Sequence, residues 1–316
     1  MQNEIKKGKE FGQSIVTINE YDDDNYCDIF ATKLKFTDEV APKGIELTDL
    51  SNDGDGSVVG WIDGDTYKVS TQEKGQKVIF NEDCSKMFYG GRFCCDNIEL
   101  SKRSELEMKE VYFNNVDTSH VTNMRFMFMD CKQLLKLDLS NFDTSYVTSM
   151  WNMFSGCENL KELNLSNFDT SNVTDMAGMF ERCENLKELD LSNFNTSNVI
   201  SMKLMFADCK NLKELDLSHF DTSQVENMEG MFSLCMNLES LKLNNSKLDD
   251  IAYLDGIFSR CDKLNSLETT DIHLKNEYQK KVVQKQNKMH SNIDLKTLKI
   301  NGEKVKQKEK GIDKEE

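Results

Sequence analysis

VTNMRFMFMDCKQLLKLDLSNFDTSY, residues 121–146, is followed without a gap by VTSMWNMFSGCENLKELNLSNFDTSN (147–172), VTDMAGMFERCENLKELDLSNFNTSN (173–198), VISMKLMFADCKNLKELDLSHFDTSQ (199–224) and VENMEGMFSLCMNLESLKLNNSKLDD (225–250). One 26-residue unit is written five times. A sixth copy opens at Ile251 as IAYLDGIFSRCDKLNSL and loses the pattern after Leu267, as a terminal capping unit does. Single columns keep the register: Cys131, Cys157, Cys183, Cys209, Cys235 and Cys261 recur in step with Phe128, Phe154, Phe180, Phe206, Phe232 and Phe258. Self-similarity at a fixed period means stacked coils, each burying the apolar edge of the one before it.

Two periodicities alternate within the unit. Val173, Met176, Met179, Phe180 and Cys183 are spaced as one face of a helix, and Ser171 and Asn172 stand where an N-cap belongs. This predicts a short helix. Leu186, Leu189 and Leu191 then change to L-x-x-L-x-L, which predicts a short strand. The expected fold class is α/β: a right-handed solenoid with short parallel strands on one face and short helices on the other. Six coils spaced ~4.8 Å apart make a stack roughly 29 Å long.

Outside the array the chain is less regular. Residues 1–80 form an N-terminal region in which 1–45 show no usable period. VVGWI and YKVS, between turn clusters at Gly54, Gly56 and Gly64, predict a small β module at about 52–72. Residues 81–120 repeat parts of the unit, Met87, Phe88, Cys95, Ile98 and then Val116 to Ser119, around an insertion, and so read as a divergent first coil. Residues 121–274 are the repeats with their capping coil. Residues 275–316 are a Lys-rich tail: its first part is helix-compatible, and DLKTLKINGEKV with Asn301-Gly302 predicts a hairpin. The tail reads as a solvated end, a segment docked on the acidic body, or an arm for an anionic surface.

The unit V-T-x-M-x-x-M-F-x-x-C-x-x-L-K-x-L-x-L-S-x-F-D-T-S-x resembles the repeat of the BspA-like leucine-rich repeat surface proteins, related to the Treponema-type repeats. GDGSVVGWIDGDTYKVS and NEDCSKMF, upstream, resemble the module that often precedes such repeats. The resemblance covers about residues 52–267. It implies a leucine-rich-repeat solenoid displayed on a bacterial surface, adhesion to host components or other cells, and no catalytic residues. The N-terminal stretch through Tyr26 has no apolar run that could act as a signal peptide, which reads as cytoplasmic, while the resemblance implies the cell surface.

The recurring columns read as architecture. The six cysteines form a structural ladder of small buried side chains, since no C-x-x-C pair or Cys/His cluster with zinc spacing accompanies them. Cys94-Cys95 is an adjacent pair whose redox state the sequence leaves open. Asp-Thr-Ser at 117–119, 143–145, 169–171 and 221–223, with Asn195-Thr196-Ser197, reads as turn and helix cap rather than as hydrolase parts beside His120 or His219. DGDG at 53–56 lacks the glutamate a calcium loop needs at its twelfth position, where Gly64 stands. No P-loop, dinucleotide fingerprint or nucleophile elbow occurs, so no catalytic residue, cofactor or metal is expected.

The outward strand positions remain. With Leu163 and Leu165 pointing inward, one column reads Lys136, Glu162, Glu188, Glu214, Ser240 and the next Asp138, Asn164, Asp190, Asp216, Lys242. The candidate partner-binding face is Asp138, Glu162, Asn164, Glu188, Asp190, Glu214 and Asp216. Stacked carboxylates ~5 Å apart repel by roughly 1 kcal/mol even in water. Lys161, Lys187 and Lys213 offset this internally, or a basic partner does.

Charge agrees with a protein partner. The 316 residues carry 39 Lys+Arg against 55 Asp+Glu, net −16, a sign that repels nucleic acid. Residues 275–316 hold 12 Lys and 7 acids, so the body is more acidic than the whole. No apolar run is long enough for a transmembrane helix. The expected function is a non-catalytic protein-interaction module, a monomer, for surface display or adhesion. An intracellular scaffold is the alternative, favoured by the many cysteines, and an enzyme with an unrecognised N-terminal site is the remaining class.

Overall fold

The computed structural model describes residues 3–7, 9–11, 31–91, 108–243 and 253–300. In chain order these form β1 (Lys33–Phe36), β2 (Thr48–Asp49), β3 (Val59–Asp63), β4 (Thr66–Ser70), β5 (Val78–Ile79), β6 (Glu110–Phe113) and β7 (Val116–Asp117). The repeats add β8 (Lys136–Asp138), β9 (Glu162–Asn164), β10 (Glu214–Asp216), β11 (Ser240–Lys242) and β12 (Ser266–Glu268), and α1 (Ile272–Ile300) follows. The coils stack in parallel. Bridges run from Asp83 to Asn123, Ser149, Asp175, Ser201, Asn227 and Tyr253, one residue from each of seven coils.

The helices expected on one face of the solenoid are absent among the described residues of the repeats. The Met-Phe segment of each coil is instead a run of tight turns. Met179 N–H donates to Met176 C=O at 3.2 Å and Cys183 N–H to Phe180 C=O at 3.1 Å, so each bond closes over three residues. The donors between them leave the coil: Met176, Gly178, Phe180 and Arg182 N–H reach Ser201, Lys203, Met205 and Ala207 C=O of the next. Backbone φ is positive at the sixth and tenth positions, for example Gly178 (60°) and Arg182 (58°), which no right-handed helix admits. An apolar residue every third position marks turns here, and Ser171 and Asn172 cap nothing: Ser171 N–H donates to Asp169 Oδ1 and Asn172 Nδ2 to Ser145 C=O.

β8 and β9 belong to one seven-stranded sheet, in the order β2-β3-β4-β1-β6-β8-β9, while β10-β11-β12 form another. β3 and β4 are an antiparallel hairpin turning at Gly64, where φ is 62°. β1, in a region without period, slots in parallel between β4 and β6, with Lys33 beside Glu110 and Phe36 beside Phe113. The irregular N-terminus thus supplies the strand on which the array starts. Phe11, Phe36, Phe80, Phe88 and Phe113 pack around it and are nearly fully buried.

Three buried ladders hold the coils. Rings of Phe88, Phe128, Phe154, Phe180, Phe206, Phe232 and Phe258 stack with centroids 5.0 to 6.0 Å apart. Each cysteine thiol donates to the phenylalanine carbonyl of the preceding coil, as Cys183 Sγ does to Phe154 C=O at 3.2 Å. Thr118, Thr144 and Thr170 each bond the next coil twice: Thr144 Oγ1 donates to Asp169 C=O and accepts from Asp169 N–H, both at 2.9 Å.

α1 covers the last coil. Asp271 Oδ1 accepts the N–H of His273 and Leu274 and caps the helix. Leu274 is buried, and Tyr278 sets its ring edge-on to Phe258, the end of the stack. Lys281 and Lys285 donate to the Leu264 and Asp262 carbonyls. Residues 294–300 are helical, so they are not the first strand of the hairpin expected around Asn301-Gly302; residues 301–316 lie outside the described ones.

Candidate interaction face

Position parity within L-x-L decides which side chains reach solvent. Leu137, Leu215 and Leu241 are buried, while Lys136, Asp138, Glu162, Asn164, Glu188, Asp190, Glu214 and Asp216 are exposed. The structure brings all seven candidates to one side of the repeats, but their chemistry divides in two.

The second column is tied into turns. Asp138, Asn164, Asp190 and Asp216 each accept, through a side-chain oxygen, the N–H of the serine two residues on: Ser140, Ser166, Ser192 and Ser218. These are Asx turns, which end the strand and start the return. The N–H and hydroxyl of Ser192 hold Asp190 below the usual carboxylate range. The hydroxyl and N–H of Ser218, and then Lys242, bring Asp216 down to about 2. The alternation D-L-S after each strand carried that signal.

The first column is freer. Glu162 pairs with Lys136 at 2.6 Å, whereas Glu188 and Glu214 make no ion pair or hydrogen bond among the described residues. Lys161, Lys187 and Lys213, adjacent in sequence and also exposed, form no ion pair among the described residues either. Offsetting charge is recruited on the turn side instead, where Glu158 meets Lys132 at 3.3 Å and Arg182 at 2.6 Å, and Glu184 meets Lys210 at 2.5 Å.

The cysteine ladder, Cys131, Cys157, Cys183, Cys209, Cys235 and Cys261, lies inside, with every sulfur free and buried. Burial pushes the thiols of Cys209 and Cys261 up to about 12, and that of Cys183 upward too. Cys94 and Cys95 lie outside the described residues. Among the described residues no three His, Cys, Asp or Glu side chains are grouped to hold a metal ion. No helix among them is long and apolar enough to cross a membrane.

A search of solved structures returns a leucine-rich repeat protein of T. pallidum, with 17% identity and a TM-score of 0.31 over 73% of this chain and 83% of that one. It also returns a leucine-rich cell surface protein of Faecalibacterium prausnitzii A2-165, with 13% identity and a TM-score of 0.19 over 76% and 88%. No curated protein matches the chain. A family model described as "Mycoplasma protein of unknown function, DUF285" matches residues 82–214, 156–272 and 184–302, so it takes in every coil of the array. The chain belongs to that family, the DUF285 proteins.

Proposed function

We propose that this chain is a non-catalytic protein-interaction module that engages a basic protein partner through the outward glutamate column, in surface display or adhesion. The observation that carries this reading is the exposure of Glu188 and Glu214, whose side chains make no ion pair or hydrogen bond among the described residues, beside a second column whose side chains are tied into turns. Rigid placement of unpaired charge steers and selects a partner more than it adds affinity. Titration of the full chain with decalysine, and with decaglutamate as control, tests it. Binding of decalysine alone, lost in a Glu188→Lys, Glu214→Lys double variant of unchanged melting temperature, supports the reading; equal binding by both proteins overturns it.

An intracellular scaffold is the second reading, favoured by the seven free buried thiols among the described residues, which suit a reducing compartment. Protease treatment of intact cells separates the two: cleavage supports surface display, and protection until lysis supports the scaffold.

A further inference from the structure

NLKELDLS occurs twice, at 185–192 and at 211–218. The second copy contains β10, yet the first contains no strand. An identical octapeptide cannot differ in propensity, so its neighbours decide.

The strand ladder is closed at both ends of the array and open in the middle. At its ends Lys161 N–H donates to Leu135 C=O at 2.9 Å, Leu139 N–H to Asn164 C=O at 3.1 Å, Glu239 N–H to Lys213 C=O at 2.7 Å and Leu217 N–H to Lys242 C=O at 2.8 Å. Among the described residues, no backbone-to-backbone hydrogen bond joins 187–191 to either neighbouring coil, although the Leu191 carbonyl meets His219 Nε2 of the next at 2.8 Å. The opening is confined to the strand side. Asn211 N–H still reaches Glu184 C=O at 3.1 Å, and the Phe154, Phe180 and Phe206 rings keep spacings of 5.7 and 5.5 Å. Leu163 and Leu189, at the seam, are only half-buried, unlike Leu137, Leu215 and Leu241.

Among the repeat strands, charge tracks the opening column by column. Where the ladder is closed, Lys136 faces Glu162, Asp216 faces Lys242, Lys242 faces Glu268, and Glu214 faces neutral Ser240. At the seam the repeat register sets Glu188 between Glu162 and Glu214, Lys187 between Lys161 and Lys213, and Asp190 beside Asp216. Like charges directly opposite one another across a sheet destabilise the pairing.

We infer that residues 187–191 are a latent strand held open by like-charge stacking, and that neutralising or reversing Glu188 joins the two sheets into one. The inference holds whether or not that face binds a partner. It identifies a conformational element set by charge rather than by apolar pattern.

Hydrogen exchange of the full chain, read residue by residue, tests it. In the wild type the 187–191 amides exchange far faster than those of Lys161, Leu217 and Glu239. Glu188→Lys raises protection at 187–191 about tenfold, as expected when two repulsive cross-strand contacts become attractive, and Glu188→Gln raises it less. In 1 M NaCl, where the screening length is about 3 Å, the wild type gains protection there too. Lys136→Glu, which creates a like-charge stack at the other end, lowers protection at Lys161 and Leu139. Wild-type protection at 187–191 equal to that at Leu217 overturns the inference, and so does exchange indifferent to both the Glu188 substitutions and salt.

Discussion

Thr170 grips residue 195 of the next coil by both backbone groups: its hydroxyl donates to the Asn195 carbonyl and accepts from the Asn195 N–H, each at 2.8 Å. The Thr170 side chain is buried, while residue 195 lies at the surface. Thr170→Val keeps the shape and removes both bonds. An expected loss of about 2 kcal/mol, from two lost hydrogen bonds, is checked by urea denaturation; Thr170→Ser should recover most of it.

The turn geometry of the Met-Phe segment makes a prediction of opposite sign to a helical one. Gly178 has φ 60°, and a Cβ there would run into the Asn152 side chain. Gly178→Ala should therefore cost about 1–2 kcal/mol, whereas an exposed helical site would gain about 1. Arg260, exposed with φ 58°, is the converse case: Arg260→Gly should be neutral to stabilising by up to about 1 kcal/mol. Thermal melts of the two variants read both signs.

The whole ladder is buried, and raised pKa values leave little thiolate at Cys183, Cys209, Cys235 and Cys261 at neutral pH. Alkylation of the native chain at pH 8, mapped by mass spectrometry, should spare Cys131 through Cys261 and label them once urea unfolds the array. Rapid native labelling of Cys183 or Cys209 would contradict the packing described.

Glu39 is held at about 2 by hydrogen bonds from Lys35 and Lys68, against 4.5 unperturbed. A folded-state pKa below the unfolded one means its contribution is complete above about 4.5 and disappears as pH falls toward 2. Its carboxylate side chain is 42% exposed, so screening keeps the contribution below about 1 kcal/mol. Glu39→Gln should lower stability at pH 7 and leave it unchanged at pH 2, as measured by urea midpoints at each pH.

The repeat register, the number of coils and the inward and outward sides of the strands were legible in the sequence, because a 26-residue step aligns Phe128 with Phe258 without a gap. The helix was misread because Met176, Met179 and Cys183 satisfy turns as well as they satisfy a helical face. Gly156, Gly178, Gly230 and Gly256 fall in the two left-handed columns and were the available signal. β1 was invisible because it occurs once and gains its partners only from Thr66–Ser70 and Glu110–Phe113, distant in sequence. On the candidate face, the repulsion among Glu162, Glu188 and Glu214 could be read directly. That it would separate two sheets could not, since the octapeptide around Glu188 recurs as a strand 26 residues later.

An array of identical coils has no internal reason to stop. Each finished coil presents the ring, the carbonyls and the strand edge that another coil would need, including a coil from a second molecule. Tyr278 against Phe258, with Lys281 and Lys285 on the Leu264 and Asp262 carbonyls, covers the last ring and two of the last carbonyls with groups that do not repeat. α1 thus gives the last described coil a neighbour that is not another copy of the repeat.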